Sequence, residues 1–379
     1  MRVLIHALAM YKRGGGSRHL EGLVQALGRL DHDNEYILCL NSRFEFLSPY
    51  PNITVYRVEV KSALHRLWWE QVILPRLVLE RRVDLVVALL VFGTFRPKVP
   101  QVVFQRNSQF YCNAYLNQLR VKAALEVALR RKMAYLTMRA SRAIVTPSAA
   151  MRDMICRYHP DLPLDRFHVL PHGFEREQLS RQPLPEHIVQ QLARSQGRQM
   201  ILYISHLEPH KGHDVAIKAM RELKRQGQPA CLYLTMDRQD WPKGYDRLMA
   251  HIREWDLEGD VINLGRVHEG ALDELYSRAD IFFFPSLCES FGFPLVEAMG
   301  YGLPIVAADT AINHEMCGEA ALYYPPFDSL AAAQQISTLL SSPKRRLKMR
   351  EASERQFPRS HLCWSDYASR FVKLLKESL

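Results

Sequence analysis

Several things are missing from this sequence, and each absence removes a class of function. No apolar run approaches the roughly 20 residues needed to cross a bilayer. The seven cysteines (Cys39, Cys112, Cys156, Cys231, Cys288, Cys317 and Cys363) are scattered, odd in number and form no C-x-x-C. A reduced, cytoplasmic protein without structural zinc is therefore expected. The opening Met1-Arg-Val-Leu-Ile-His6 is too short in its apolar part for a signal peptide and reads as a first strand. A dinucleotide fingerprint fails: counted from Gly14, the third glycine would fall at His19, and the next strand ends in Asn41 rather than an acid. Asp31-His-Asp33 has the form of a metal-binding pair but sits in a polar turn far from any partner ligand, so a solvated loop is expected there.

What is present suits a soluble globular chain, 47% hydrophobic and 24% charged over 379 residues. That length is too great for one ordinary core, and two domains of about 150–200 residues are expected. The net charge of +10 is uneven: residues 1–172 hold 25 Lys/Arg against 13 Asp/Glu, or +12, leaving −2 for the rest. An anionic partner of the first half follows. No recognition motif accompanies the charge, so nucleic acid is not expected.

In the first half, the strand Arg2–His6 leads through Lys12-Arg-Gly-Gly-Gly-Ser17 into a helix, Arg18–Leu27. The glycine turn either lets strand meet helix or brings backbone close to a diphosphate. Residues Leu64–Leu79 carry Trp68, Trp69, Leu74 and Leu77 at helical spacing and read mostly as core. Gln101–Phe104 reads as a strand opening into Gln105-Arg-Asn-Ser-Gln-Phe-Tyr111. Ligands collect at such strand ends in open α/β sheets, which makes Arg106 and Asn107 candidates beside a plain loop reading. Val121–Arg142 reads as a long helix with an apolar stripe of Leu125, Leu129, Met133 and Leu136. Its basic remainder is either a solvated face or a surface for anionic lipid.

Residues 175–197 read as the linker, after which the strand and helix pattern restarts. Strands are expected at Met200–Ile204, Cys231–Thr235, Val261–Leu264, Ile281–Phe284, Pro304–Ala308 and Ala320–Tyr324. Lys211, beside Gly212 and a helix start, is either a surface lysine or a cation placed to neutralise a leaving diphosphate, and His206 is either a second donor or a plain loop histidine. The densest stretch runs Pro285-Ser-Leu-Cys-Glu289-Ser-Phe-Gly-Phe-Pro-Leu-Val-Glu297-Ala-Met-Gly300. It holds two carboxylates seven residues apart, after a buried-strand signature, with Gly292 loosening the turn and Pro294 suited to a first helical position. Hydroxyl-binding acids beside a helix start suit a sugar on a nucleotide diphosphate.

With these residues in order, the chain resembles the retaining glycosyltransferases of glycosyltransferase family 4. The carriers are the E-x7-E element Glu289…Glu297 and Leu207-Glu-Pro-His-Lys-Gly212. Weaker support comes from Gly14–Gly16, Ile144–Ser148, Leu170–Gly173 and Leu264-Gly-Arg-Val. The resemblance implies an α/β, GT-B fold: two Rossmann-like, doubly wound parallel-sheet domains facing across a cleft. The expected division is residues 1–172 on the acceptor side, 173–357 on the donor side, and a final helix, 358–379, that packs back on the first domain. It also implies roles. Glu297 would hold ribose hydroxyls and Glu289 would face the donor sugar. The backbone of Ser290, Phe291 and Gly292 would hold sugar or phosphate, Lys211 the diphosphate, and Gly15 and Gly16 would approach that diphosphate. Leu295 and His172 complete the candidate substrate-binding set, and Asn107 joins Glu289, Lys211 and His206 as a catalytic candidate. The family often has Arg where His206 stands, Gly where Ser290 stands, and His or Asp near the sugar where Arg106 and Asn107 stand.

The expectation is a hexosyltransferase that retains anomeric configuration, needs no metal or cofactor, and uses a nucleotide-diphosphate sugar. Its acceptor would be a saccharide or lipid-linked hydroxyl in surface polysaccharide, lipopolysaccharide or glycolipid assembly, at the inner face of the plasma membrane. An epimerase or hydrolase on the same fold, and a non-catalytic nucleotide-sugar-binding partner, are the alternatives.

Overall fold

A computed structural model describes residues 1–10, 15–176, 182–193 and 197–379. The expectations resting on Lys12, Arg13 and Gly14, and those on parts of the 175–197 linker, lie outside the described residues. The chain divides into two compact units. The first comprises Met1–Cys112, Gln118–Phe174 and Leu362–Leu379, and the second Asn113–Asn117 and Glu175–His361.

The first unit is built on seven parallel strands: β1 (Arg2–Ala7), β2 (Glu35–Asn41), β3 (Ile53–Val58), β4 (Leu85–Ala88), β5 (Gln101–Phe104), β6 (Ala143–Thr146) and β7 (Phe167–Val169). Their order is β3-β2-β1-β4-β5-β6-β7. Central β1 pairs on both sides, Val3 opposite Tyr36 and Leu85. Both its faces are buried: Val3 and Ile5 enter one core with Leu20, Leu23 and Leu27, while Leu4 enters another with Trp69, Leu74 and Leu77. This two-sided burial is why the strand reads as a continuous apolar run. The edge strand β3 buries only its end residues Ile53 and Val58, which left it without a clear signal.

The final helix, Trp364–Glu377, belongs to this unit and contributes Trp364, Tyr367, Phe371 and Leu375 to its core. Its seat depends on two glycines. A Cβ on Gly22 or Gly173 would lie 2.2 or 2.5 Å from the Trp364 ring.

Two helices depart from expectation. Helix Gly15–Leu30 begins three residues earlier than expected, so Gly15 and Gly16 are helical rather than turn residues. In Val121–Ala140, Leu125 and Leu129 are 67% and 64% exposed, whereas Ala134, Thr137 and Met138 are buried. The apolar stripe is therefore not a core stripe, because only the last two turns lie against the sheet. The 63–80 segment is likewise split: Trp69, Leu74 and Leu77 are buried, but Leu64, Trp68 and Leu79 are exposed. A π-helical turn at Trp69–Ile73 shifts the face between its two α-helical parts.

The second unit repeats the plan with six parallel strands: β8 (Gln199–Tyr203), β9 (Ala230–Leu234), β10 (Val261–Asn263), β11 (Ile281–Phe284), β12 (Ile305–Ala308) and β13 (Ala321–Tyr324). Their order is β10-β9-β8-β11-β12-β13. In each sheet the winding reverses once, between β1 and β4 and between β8 and β11. A crevice at the carboxyl ends of such strands is where open α/β sheets take ligands. Five cysteines (Cys39, Cys156, Cys231, Cys317 and Cys363) are free thiols.

Candidate active site

In the second unit, the loop after β8 and the loop after β11 emerge side by side at the reversal point. The first carries Lys211 and the second Glu289. Lys211 Nζ lies 2.6 Å from Glu289 Oε1, with 18% and 13% of the two side chains exposed. Ser286 Oγ donates to the same Oε1 at 2.7 Å. Both donors act on one carboxylate oxygen, which fixes the rotamer and leaves Oε2 outside these two bonds. The backbone locks the loops together. Leu287 N–H donates to the His210 carbonyl at 2.9 Å, and the Tyr203 hydroxyl donates to the Lys211 carbonyl. Gly212 adopts φ +71°, and a Cβ there would sit 2.3 Å from the Pro285 carbonyl oxygen. Only glycine permits both the left-handed turn and that approach.

His213 opens the following helix, His213–Arg225, buried against the Tyr203 ring at 4.8 Å. Burial, and then the charge of Lys211, depress its pKa to about 3, so it stays neutral beside the lysine.

Helix Phe293–Gly300 starts after Gly292 at φ +88°, with Pro294 in its first turn. This start is poorer in donors than the sequence suggested. Proline has no N–H, and the Leu295 and Val296 amides close on the Gly292 carbonyl at 2.9 and 3.4 Å. Leu295 is fully buried, as is Phe291, whose ring meets Phe293 edge-on at 5.0 Å. Ser290 lies half-buried on the same loop. Glu297 is 1% exposed and accepts a 2.6 Å hydrogen bond from the Tyr276 hydroxyl. Tyr276 stacks on Tyr301.

His206, on the same loop as Lys211, is half-exposed and points Nδ1 at Asp240 Oδ2, 3.5 Å away. Asp240 Oδ1 accepts from Arg266 Nη2 at 2.9 Å, and Arg266 Nε donates to Asp237 at 2.8 Å. Asp237 is held below the usual carboxylate range, first by the Gln239 amide and then by Arg266. Loops after β8, β9 and β10 thus build a row of facing polar groups, His206–Asp240–Arg266–Asp237. Arg266, Asp240 and Ser286 escaped the sequence reading as site residues. Arg266 and Ser286 lie inside stretches singled out for other reasons, and Asp240 has no local signal at all.

The first-unit candidates gather elsewhere, at the carboxyl ends of β1 and β5. Arg106 Nη1 lies 3.1 Å from His19 Nδ1, and Nη2 donates to the Gly15 carbonyl at 3.3 Å. His172 is buried with its ring centroid 4.4 Å from that of His19. Gly16 is the second residue of the same helix. Asn107 is occupied locally: its Oδ1 accepts from the Gln109 amide at 3.0 Å and caps the short turn Ser108–Phe110. Asp31, of the D-x-D pair, accepts from the Asn34 amide and the Tyr36 hydroxyl and buttresses the turn instead of standing in solvent. Among the described residues no group of three His, Cys, Asp or Glu side chains could hold a metal ion.

Comparison with known proteins agrees with this construction. Residues 186–356 match the model for glycosyl transferases group 1, and residues 13–178 match that for Glycosyltransferase Family 4. The two matches fall on successive halves of the chain, and the two parallel-sheet α/β domains are of the GT-B kind. Among curated relatives, the serotype-specific mannosyltransferase WbdA of Escherichia coli is 30% identical over 142 residues, 37% of this chain and 17% of that protein. The O-antigen chain mannosyltransferase B of Escherichia coli is 27% identical over 233 residues, 62% of this chain and 59% of that one. The matches thus span less than two thirds of either relative. Of solved structures, Anabaena Alr3699/HepE in complex with UDP and glucose aligns with TM-score 0.72 at 17% identity, over 99% of both chains. At that identity the likeness speaks for the fold.

Proposed function

We propose that this chain is a retaining, metal-independent hexosyltransferase that moves a sugar from a nucleotide diphosphate to an acceptor hydroxyl in surface-polysaccharide assembly. The observation that carries the reading is the Lys211–Glu289 pair at the reversal point of the second sheet. A diphosphate ester of a sugar presents two groups to such a pair. The lysine suits the phosphate, whose negative charge grows as the bond to the anomeric carbon breaks. The carboxylate suits the sugar, whose ring takes on oxocarbenium character. Ser286 and Lys211 preorganise Glu289, and preorganised charge of this kind is worth on the order of 3 kcal/mol per donor. The acceptor oxygen bonds to the anomeric carbon on the face that the diphosphate leaves, and a donor phosphate oxygen takes the acceptor proton. Arg266, as a further cation, and His206, as a further hydrogen-bond donor, both beside Asp240, flank the same loops for the nucleotide.

The mannosyltransferase relatives make a mannose nucleotide the first donor to try, and the UDP-bound neighbour makes uridine donors the second. The assay is nucleotide release from GDP-mannose, UDP-glucose, ADP- and dTDP-sugars, with and without chelator, on saccharide and lipid-linked acceptors. The anomeric coupling of the product is then read by NMR. An inverted product, or release abolished by chelator, would remove the corresponding part of the reading.

The basic first unit supports contact with anionic lipid while the acceptor is engaged. The exposed residues Val121, Leu125 and Leu129 form an apolar strip along one helix, with Lys122, Arg130 and Lys132 exposed around it. That combination suits an interfacial helix.

A further inference from the structure

Arg106 is a cation without a counter-charge. Its guanidinium contacts the ring nitrogen of His19 and the carbonyl of Gly15, both neutral acceptors, and no carboxylate among the described residues pairs with it. The surroundings are desolvated enough to lower its pKa to about 10, with burial as the leading cause. It nevertheless stays charged at neutral pH. Lone charges in such places are costly, and they persist where a ligand supplies the opposite charge.

The neighbours hold this cation in place. A guanidinium only donates, so His19 Nδ1 must accept from it, and Nε2 must then carry the ring proton. Nε2 faces the Tyr367 hydroxyl at 2.6 Å. Burial, and then the charge of Arg106, keep His19 neutral. Tyr367 is fully buried on the final helix, so a residue of that helix accepts from His19 Nε2 and holds the ring that orients Arg106. The Arg106–Gly15 bond also places the guanidinium at the first residue of helix Gly15–Leu30. That helix has no acidic side chain in its first turn, so its positive end adds to the charge. Two of the five guanidinium N–H groups are accounted for by His19 and Gly15, which leaves donors for a bidentate oxyanion.

We propose that Arg106 binds a phosphate-type oxyanion of the substrate, and that His19 and Tyr367 are positioning residues that fix its guanidinium for that task. The proposal rests on the chain acting on nucleotide-diphosphate sugars. It adds that one phosphate, either of the donor or of a phosphorylated acceptor, is taken by the first unit.

The test uses the full chain with isotope-labelled arginine and histidine. Inorganic phosphate is titrated while the Arg106 Nε–H signal, assigned by its loss in Arg106→Gln, is followed by NMR. A saturable shift that is absent with neutral methyl mannoside is expected. Tyr367→Phe should weaken it and change the His19 nitrogen shifts, and Arg106→Lys should restore part of the binding. An Arg106 signal that ignores phosphate overturns the proposal, even if the chain proves inactive as a transferase.

Kinetics separate the two sources. If the anion is the donor's, Arg106→Gln raises the donor KM roughly tenfold, as for loss of a charge-assisted contact. If it is the acceptor's, the KM for a phosphorylated acceptor rises while those for the donor and the dephosphorylated acceptor hold. A variant with every KM unchanged and only kcat reduced marks Arg106 as a clamp on the helix start and defeats the proposal.

Discussion

Replacing Lys211 with alanine separates two jobs that one ammonium group performs. Its pair with Glu289 is about four-fifths buried on both sides. Breaking a fully buried pair costs about 3–5 kcal/mol, and an exposed one contributes about 0–1. A loss of about 2–3 kcal/mol is therefore expected, because among the described residues Glu289 keeps only the Ser286 hydroxyl as side-chain partner. For a unit of this size that lowers Tm by roughly 5–10 °C. Loss of the charge opposite the leaving diphosphate should add a kinetic defect of about 10²-fold in kcat, about 3 kcal/mol of transition-state stabilisation. The double variant Lys211→Ala/Glu289→Gln distinguishes the two. Removing the uncompensated acid should return most of the lost stability but none of the turnover. Calorimetry and nucleotide release on all four members of the cycle supply the data. Turnover that returns with stability in the double variant refutes the leaving-group role and reduces Lys211 to a counter-ion for Glu289.

Three other outcomes follow from the same geometry. Buried Glu70 has its pKa raised to about 7 by desolvation, against the lowering effect of Arg66. A raised acid favours the folded state below its unfolded pKa and loses that advantage as pH rises through the folded value. Glu70→Gln should therefore gain stability relative to the native chain between about pH 4.5 and 7, by about 3 kcal/mol at the upper end; denaturant titrations giving a pH-independent difference would contradict this. Gly212→Ala combines φ +71° with a contact on a carbonyl oxygen, whereas Gly227→Ala meets a similar φ of +67° in open space. The second should cost about 1 kcal/mol and the first at least twice that, together with reduced kcat from a displaced Lys211; equal losses would show the Pro285 contact to be unimportant. Leu125→Glu with Leu129→Glu should leave unfolding free energy within about 0.5 kcal/mol, since both side chains are exposed, yet weaken binding to phosphatidylserine-containing vesicles; undiminished binding would exclude this strip as the lipid contact.

The strands were the most legible part of the fold. Both faces of each sheet are covered, so strands such as Ile281–Phe284 and Leu85–Ala88 are apolar throughout and stand out from their surroundings. Edge strand β3 did not, because only Ile53 and Val58 of its side chains are buried. Helix faces were harder to assign. The spacing of Leu125, Leu129 and Met133 is the same whether the stripe meets a core or water, and only the packing of Ala134 and Met138 under the last turns decides between them.

Within the site, local spacing placed Lys211, Gly212, Glu289 and Gly292 on two loops and Glu297 on the helix that follows the second, because turn chemistry and helix starts are written in neighbouring residues. It could not show that Lys211 and Glu289, 78 positions apart, share one carboxylate oxygen with Ser286, nor that Asp240 joins His206 to Arg266. The same limit applies to Arg106. The sequence by itself determined a basic residue at a strand end. That it has no acid partner among the described residues, and that Tyr367 holds the His19 ring facing it from 348 positions away, was decided only by tertiary structure. Hydrogen bonds and charge balance depend on distance in space, and the parallel winding of the sheet brings together strand ends that lie far apart in the chain.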